Sequence, residues 1–159
     1  MRIFVDSSSI IVLSKIGELE LLKTLLSKIY ITKSIEKELL KYQYPETDKI
    51  KAAIGNWIIP IDVKGNIKEY TKYKLGKGEA TLFLTSKKDK LILDELNAKR
   101  IADVENREYT GLLGLIVAGV ESGKLEKKRA RDVIIKLSES DFIMTLDLYK
   151  YIMGRIAKC

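Results

Sequence analysis

Residues 3–5, Ile-Phe-Val, run without a break into Asp6 and then into Ser7, Ser8 and Ser9. A short unbroken apolar run reads as a strand buried on both faces, and the serines behind it as the turn into a helix. Such a strand belongs in a parallel sheet covered by helices rather than in an alternating antiparallel one. The pattern returns at residues 90–94, Lys-Leu-Ile-Leu-Asp. A carboxylate at the end of a buried strand is costly to desolvate unless something compensates it. Capping the next helix is one compensation, and a bound cation is another.

Between and beyond these runs, strand and helix patterns alternate. Strands are expected at residues 2–6, 29–31, 57–63, 90–94 and 108–110. Helices are expected at 8–16, 18–27, 34–42, 46–54, 67–74, 79–87, 95–106, 112–122, 125–138 and 145–157. Ser7 or Ser8 is the expected cap of the first helix. Leu19, Leu22, Leu25 and Leu26 should face inward on the second. Pro60 cannot donate to a ladder, which places its strand at an edge or makes it a strand end. With no internal repeat and no linker, residues 1–159 read as one α/β domain, a three-layer α/β/α sandwich around a central parallel sheet.

The composition narrows the chemistry. Hydrophobic residues make up 46% and charged residues 32% of the 159, which describes a globular chain. No apolar run approaches the ~20 residues of a membrane span. The first residues have no apolar core of a secretory signal, so the chain reads as cytoplasmic. There is no histidine, and Cys159 is the one cysteine. That excludes Ser-His-Asp and Cys-His catalysis and any His- or Cys-rich zinc site. Carboxylates, lysines, hydroxyls or a cofactor are left, and oxygen ligands suit Mg²⁺ or Mn²⁺. The net charge of +7, from 29 Lys+Arg against 22 Asp+Glu, favours an anionic partner such as nucleic acid. The basic run Lys124, Lys127, Lys128, Arg129 and Arg131 reads as a solvated helix face. Tyr42, Tyr44, Trp57, Tyr70 and Tyr73 are candidates for stacking bases, although aromatics at such spacings more often serve core or interface.

In open parallel sheets, functional groups gather at the carboxyl ends of the strands. Asp6 and Asp94 sit at such ends, and adjacent strands would bring them together. In the third helix Glu38 shares the face of Ile35 and Leu39, whereas Glu36 points about 100° away. Glu79 follows Gly76-Lys-Gly78, a small-residue entry that allows close backbone approach, and shares a face with Leu82, Phe83 and Ser86. Four converging carboxylates are unstable without cations. With one or two Mg²⁺ or Mn²⁺ ions they become a site for phosphodiester hydrolysis.

These motifs, in this order, resemble the PIN-domain family of metal-dependent ribonucleases, in its VapC-like archaeal and bacterial branch. The resemblance covers almost the whole chain. It is carried by residues 5–17 with Asp6, by residues 31–39 with Glu38, by the Gly-Lys-Gly-Glu-Ala of residues 76–80, by residues 91–102 with Asp94, and by Thr110-Gly-Leu-Leu-Gly114. It implies that Asp6, Glu38, Glu79 and Asp94 hold the metal, and that Ser8 orients a water. Glu95 stands where this branch often carries a second Asp, and is a further candidate ligand. Asp103 and Glu105 read as solvated or paired. The resemblance implies a metal-dependent endoribonuclease acting on RNA, the toxin of a toxin–antitoxin pair with a small antitoxin protein as partner. It also implies a homodimer, for which the apolar surface of the last helix, residues 142–152, is a candidate contact. The alternative is a catalytically silent module of the same fold that binds RNA or protein. Phosphotransfer through Asp6 fits less well, because a second Asp is wanted two residues later and Ser8 stands there.

Overall fold

The computed structural model describes residues 1–41 and 43–159. Tyr42 lies outside the described residues. The elements run β1 (Ile3–Val5), α1 (Ser7–Lys15), α2 (Glu20–Leu26), β2 (Ile29–Thr32), α3 (Lys33–Lys41), α4 (Thr47–Ala53), β3 (Ile58–Ile61), α5 (Lys68–Thr71), α6 (Lys77–Leu82), β4 (Lys90–Ile92), α7 (Leu96–Val104), β5 (Tyr109–Thr110), α8 (Leu112–Glu121), α9 (Lys127–Ser138) and α10 (Leu146–Lys158).

The strands form one sheet in the order β3-β2-β1-β4-β5, every pairing parallel. Helices cover it to give the three-layer sandwich. Phe4, Val5, Ile29, Ile31, Ile58, Leu91 and Ile92 are buried, which is why these strands show apolar runs instead of alternation. β1 is central and is paired to β4 by Ile3 with Lys90, Phe4 with Leu91 and Val5 with Ile92. The strand order reverses beside β1, so the carboxyl ends of β1 and β4 open at the switch point of the sheet. β3 is an edge strand, as Pro60 requires.

Several boundaries differ from expectation. Asp6 itself caps α1, its carboxylate accepting the Ser9 N–H, and Ser7 and Ser8 are already helical. The charge at the strand end is the better acceptor, so neither serine is needed as a cap. α6 starts two residues early and stops at Leu82. The Leu84 and Thr85 amides then bond three residues back, to Thr81 and Leu82. Leu21 is buried in α2, whereas Leu26 is only half-buried. Trp57 is 5% exposed and belongs to the core, so it offers no face to a base. Tyr70 stacks on Phe83, with ring centroids 5.3 Å apart, and donates its hydroxyl to Glu105. Tyr44 and Tyr73 are exposed.

The basic run is largely spent on the fold. Arg129 pairs with the buried Glu18, Lys124 donates to the Leu25 carbonyl and Lys127 to that of Ala157. Lys136 also reaches Glu18, at 2.9 Å. Among the described residues no helix is long and apolar enough to cross a membrane.

Candidate active site

Asp6 leaves β1 with its side chain 1% exposed. One carboxylate oxygen accepts the Ser9 N–H at 3.0 Å, and the other accepts the Asp94 N–H at 3.2 Å. The same group therefore starts α1 and ties the end of β1 to the end of β4. Burial raises its pKa from the ordinary carboxylate value. The hydrogen bonds from Ser9 and the Asp94 amide oppose that rise, and the charge of Asp94 adds to it.

Asp94 lies between β4 and α7 and turns its carboxylate to the start of α8. Its carboxylate accepts the Leu112 N–H, at 3.1 Å to Oδ1 and 3.3 Å to Oδ2, and the Ser9 hydroxyl at 2.9 Å. An N-terminal amide of a helix is a favourable place for a negative charge. A Cβ on Gly111 would come 2.8 Å from Asp94 Oδ1, so only a glycine lets the carboxylate lie against the backbone there.

Glu38 is held in the same manner from the opposite side. Its carboxylate accepts the Ser7 hydroxyl at 2.7 Å and the Gly78 N–H at 2.9 Å. Gly78 is the second close approach, because a Cβ there would overlap the Glu38 carboxylate. Thr32, at the end of β2, accepts the Ile35 N–H of α3, which carries Glu38, and is joined to α6 by the buried hydroxyl pair Thr32–Thr81 at 2.7 Å. Thr81 also donates to the Gly78 carbonyl. Glu36, on the other face of α3, is 3.6 Å from Lys33, an ordinary surface pair.

Glu79 lies among the others. Its pKa is pushed up to about 7 by burial first, then by the charge of Glu95, by Asp6, by its hydrogen bond with Glu95 and by Glu38. Glu95 caps α7 by accepting the Ala98 N–H at 3.0 Å. Five carboxylates, from Asp6, Glu38, Glu79, Asp94 and Glu95, thus share one electrostatic neighbourhood at the carboxyl ends of β1 and β4. Asp103 and Glu105 stand apart, bonded by the hydroxyls of Tyr109 and Tyr70.

A cleft of about 600 Å³ opens beside Asp94 and Glu95. Ser8, Ser9 and Lys99 share that end of it, and Ile11, Val12, Leu113, Phe142 and Ile152 form an apolar wall. Ser8 is exposed on the cleft wall. The hydroxyls that touch the acids are those of Ser7 and Ser9. Ser7 was expected only as a candidate helix cap, and Ser9 and the Gly78 and Leu112 amides were not expected in the site. Ser9 had a readable signal: with Asp6 as cap, it is the residue whose amide bonds back to it.

Among the described residues, no three acids stand close enough as they are to hold one metal ion. The donor chemistry nonetheless fits a hard cation. The donors are all carboxylate oxygens, one acid is almost fully buried, and another has its pKa pushed well up by its neighbours. Hydrogen bonds to Ser7, Ser9, Gly78 and Leu112 keep the like charges apart here.

A family model described as PIN domain matches residues 2–158. No curated protein and no solved structure matches the chain.

Proposed function

Because the chain belongs to the PIN-domain family, whose members are generally nucleases, we propose that it is a divalent-metal-dependent endoribonuclease. The observation that carries this reading is the five-carboxylate cluster at the switch point of the sheet. Asp6, Glu38, Glu79 and Asp94 would hold Mg²⁺ or Mn²⁺, with Glu95 as the further ligand. When bound, the cation supplies Lewis-acid stabilisation of the phosphodiester and brings hydroxide within reach of neutral pH.

The chain's own groups prepare the site. Ser7 and the Gly78 amide orient Glu38, and Ser9 and the Leu112 amide orient Asp94. Asp6 locks the two strand ends together, so the acids of β1 and β4 keep one spacing. Glu79 sits beside Glu95, and burial and the charges of Glu95, Asp6 and Glu38 hold its pKa up at about 7. Ser8 faces the cleft from α1, where its hydroxyl can orient a water.

The reading includes a cytoplasmic setting as the toxin of a toxin–antitoxin pair, with a small antitoxin protein as partner. It also includes a homodimer, supported by the exposed Ile143, Leu146 and Tyr151 in and before α10.

The test is cleavage of single-stranded and structured RNA by the purified protein in Mn²⁺ or Mg²⁺. Asp6→Asn and Glu79→Gln should each lower kcat by about 100-fold or more, with the fold intact by circular dichroism. A parent protein that cuts no RNA in either metal, at any neutral pH, would sink the enzymatic reading.

A further inference from the structure

Lys99 occupies an unusual place. It lies one turn into α7 from Glu95 and lines the cleft beside Asp94. The point where a Gly111 Cβ would stand is 2.8 Å from Asp94 Oδ1 and 3.5 Å from Lys99 Nζ. The ammonium and the carboxylate thus approach the same side of Gly111.

Despite that proximity, among the described residues Lys99 makes no ion pair. The other cation lining the cleft, Lys15, is turned to Asp141 at 3.5 Å. Lys99 is therefore the uncommitted positive charge at the acid end of the cleft.

A polyanion approaching five carboxylates is repelled. One divalent cation offsets only part of their charge, so a fixed positive group at the margin has a clear use. An ammonium on a flexible stem suits a single phosphate oxygen as a point charge. We propose that Lys99 is a substrate-contacting residue that receives a backbone phosphate of single-stranded RNA at the cleft end of the acid cluster. This rests on the ribonuclease reading above. It adds a contact on α7 that none of the acids supplies. With no side chain on Gly111, the cleft stays open beside the Lys99 ammonium.

The experiment has two readouts, on the parent chain and on Lys99→Met, Lys99→Arg and Lys128→Met. The first is the affinity for a labelled single-stranded RNA across a salt series in Ca²⁺, with gels checking that the RNA stays intact. The second is kcat/KM for RNA cleavage in Mn²⁺. Loss of one phosphate contact should lower the slope of log affinity against log salt by about 0.7 in Lys99→Met. It should also lower kcat/KM about tenfold. Lys99→Arg should restore the slope. Lys128, exposed on α9, is the control for one lost charge.

An unchanged slope in Lys99→Met, or an equal loss in Lys128→Met, overturns the assignment. If the parent cleaves RNA and Lys99→Met matches it in both readouts, Lys99 has no role and the ribonuclease reading stands. If the parent cleaves nothing while Lys99→Met alone loses slope, the phosphate contact stands and the ribonuclease reading fails.

Discussion

At the scale of single residues, the site depends on what two glycines leave out. Gly78 has no Cβ, and Glu38 occupies the space where one would be. Gly78→Ala sets two effects against each other. Alanine is the better helix former by about 1 kcal/mol, and the group it displaces is the far end of a flexible side chain. The expected result is stability unchanged within about 1 kcal/mol in urea denaturation. Mn²⁺ affinity by titration calorimetry should fall by about tenfold or more, because Glu38 loses its orientation. A variant that binds Mn²⁺ as the parent does would show that Glu38 is not a ligand. Little of this was readable in the sequence. Asp6 and Asp94 were legible because each closes an apolar run, and a buried strand does not end in a charge without reason. Glu38 was separable from Glu36 by helical spacing. The Gly78 and Leu112 amides were not legible, because they meet their carboxylates only through the approach of elements distant in sequence.

At the scale of elements, Glu18 joins the turn between α1 and α2 to α9. It is 4% exposed and paired with Arg129 and Lys136, whose side chains are about half exposed at 47% and 48%. Burial raises its pKa, and the hydrogen bonds and charges of Arg129 and Lys136 outweigh that, leaving it below the ordinary 4.5. A carboxylate whose pKa is lowered by folding contributes its full stability above the unfolded value and loses it as pH falls through the folded one. Glu18→Gln should therefore cost about 2 kcal/mol near neutral pH, less than a fully buried pair because both partners meet water. The gap from the parent should close as urea denaturation is repeated down to about pH 3. A gap that is constant with pH would mean that packing, not charge, holds this junction. The element types themselves followed from the sequence, since period and punctuation are local properties. The end of α6 did not. The Thr85 hydroxyl receives the Arg107 guanidinium at 2.8 Å, a tertiary demand that favours tight turns over another helical turn there.

At the scale of the molecule, the acid cluster is a store of unfavourable charge that the unfolded chain does not have. A cation that binds the folded state alone stabilises it by mass action, about 2.7 kcal/mol at a concentration 100 times its Kd. For a chain of this length, that corresponds to a rise in Tm of about 5–10 °C. Mn²⁺ should produce such a rise in differential scanning calorimetry, and Asp6→Asn with Glu79→Gln should abolish it. An equal rise in the double variant would place the binding elsewhere on the surface. The three-layer architecture was legible as a whole, because buried strands alternating with helices allow few other solutions.

The strand order also sets a sequence in time. Residues 1–61 carry β1, β2 and β3, which are neighbours, so half of the sheet can form while the rest of the chain is still being made. That half holds only Asp6 and Glu38. Glu79, Asp94 and Glu95 follow, and the Leu112 amide that grips Asp94 comes later still. The partner strand of β1 on its other side is a distant one, and its pairing carries the cost of a long loop closure. Between residue 61 and residue 95, a growing chain therefore has the strands of that half but an incomplete set of acids. Asp6 and Asp94 meet only once β4 has paired with β1.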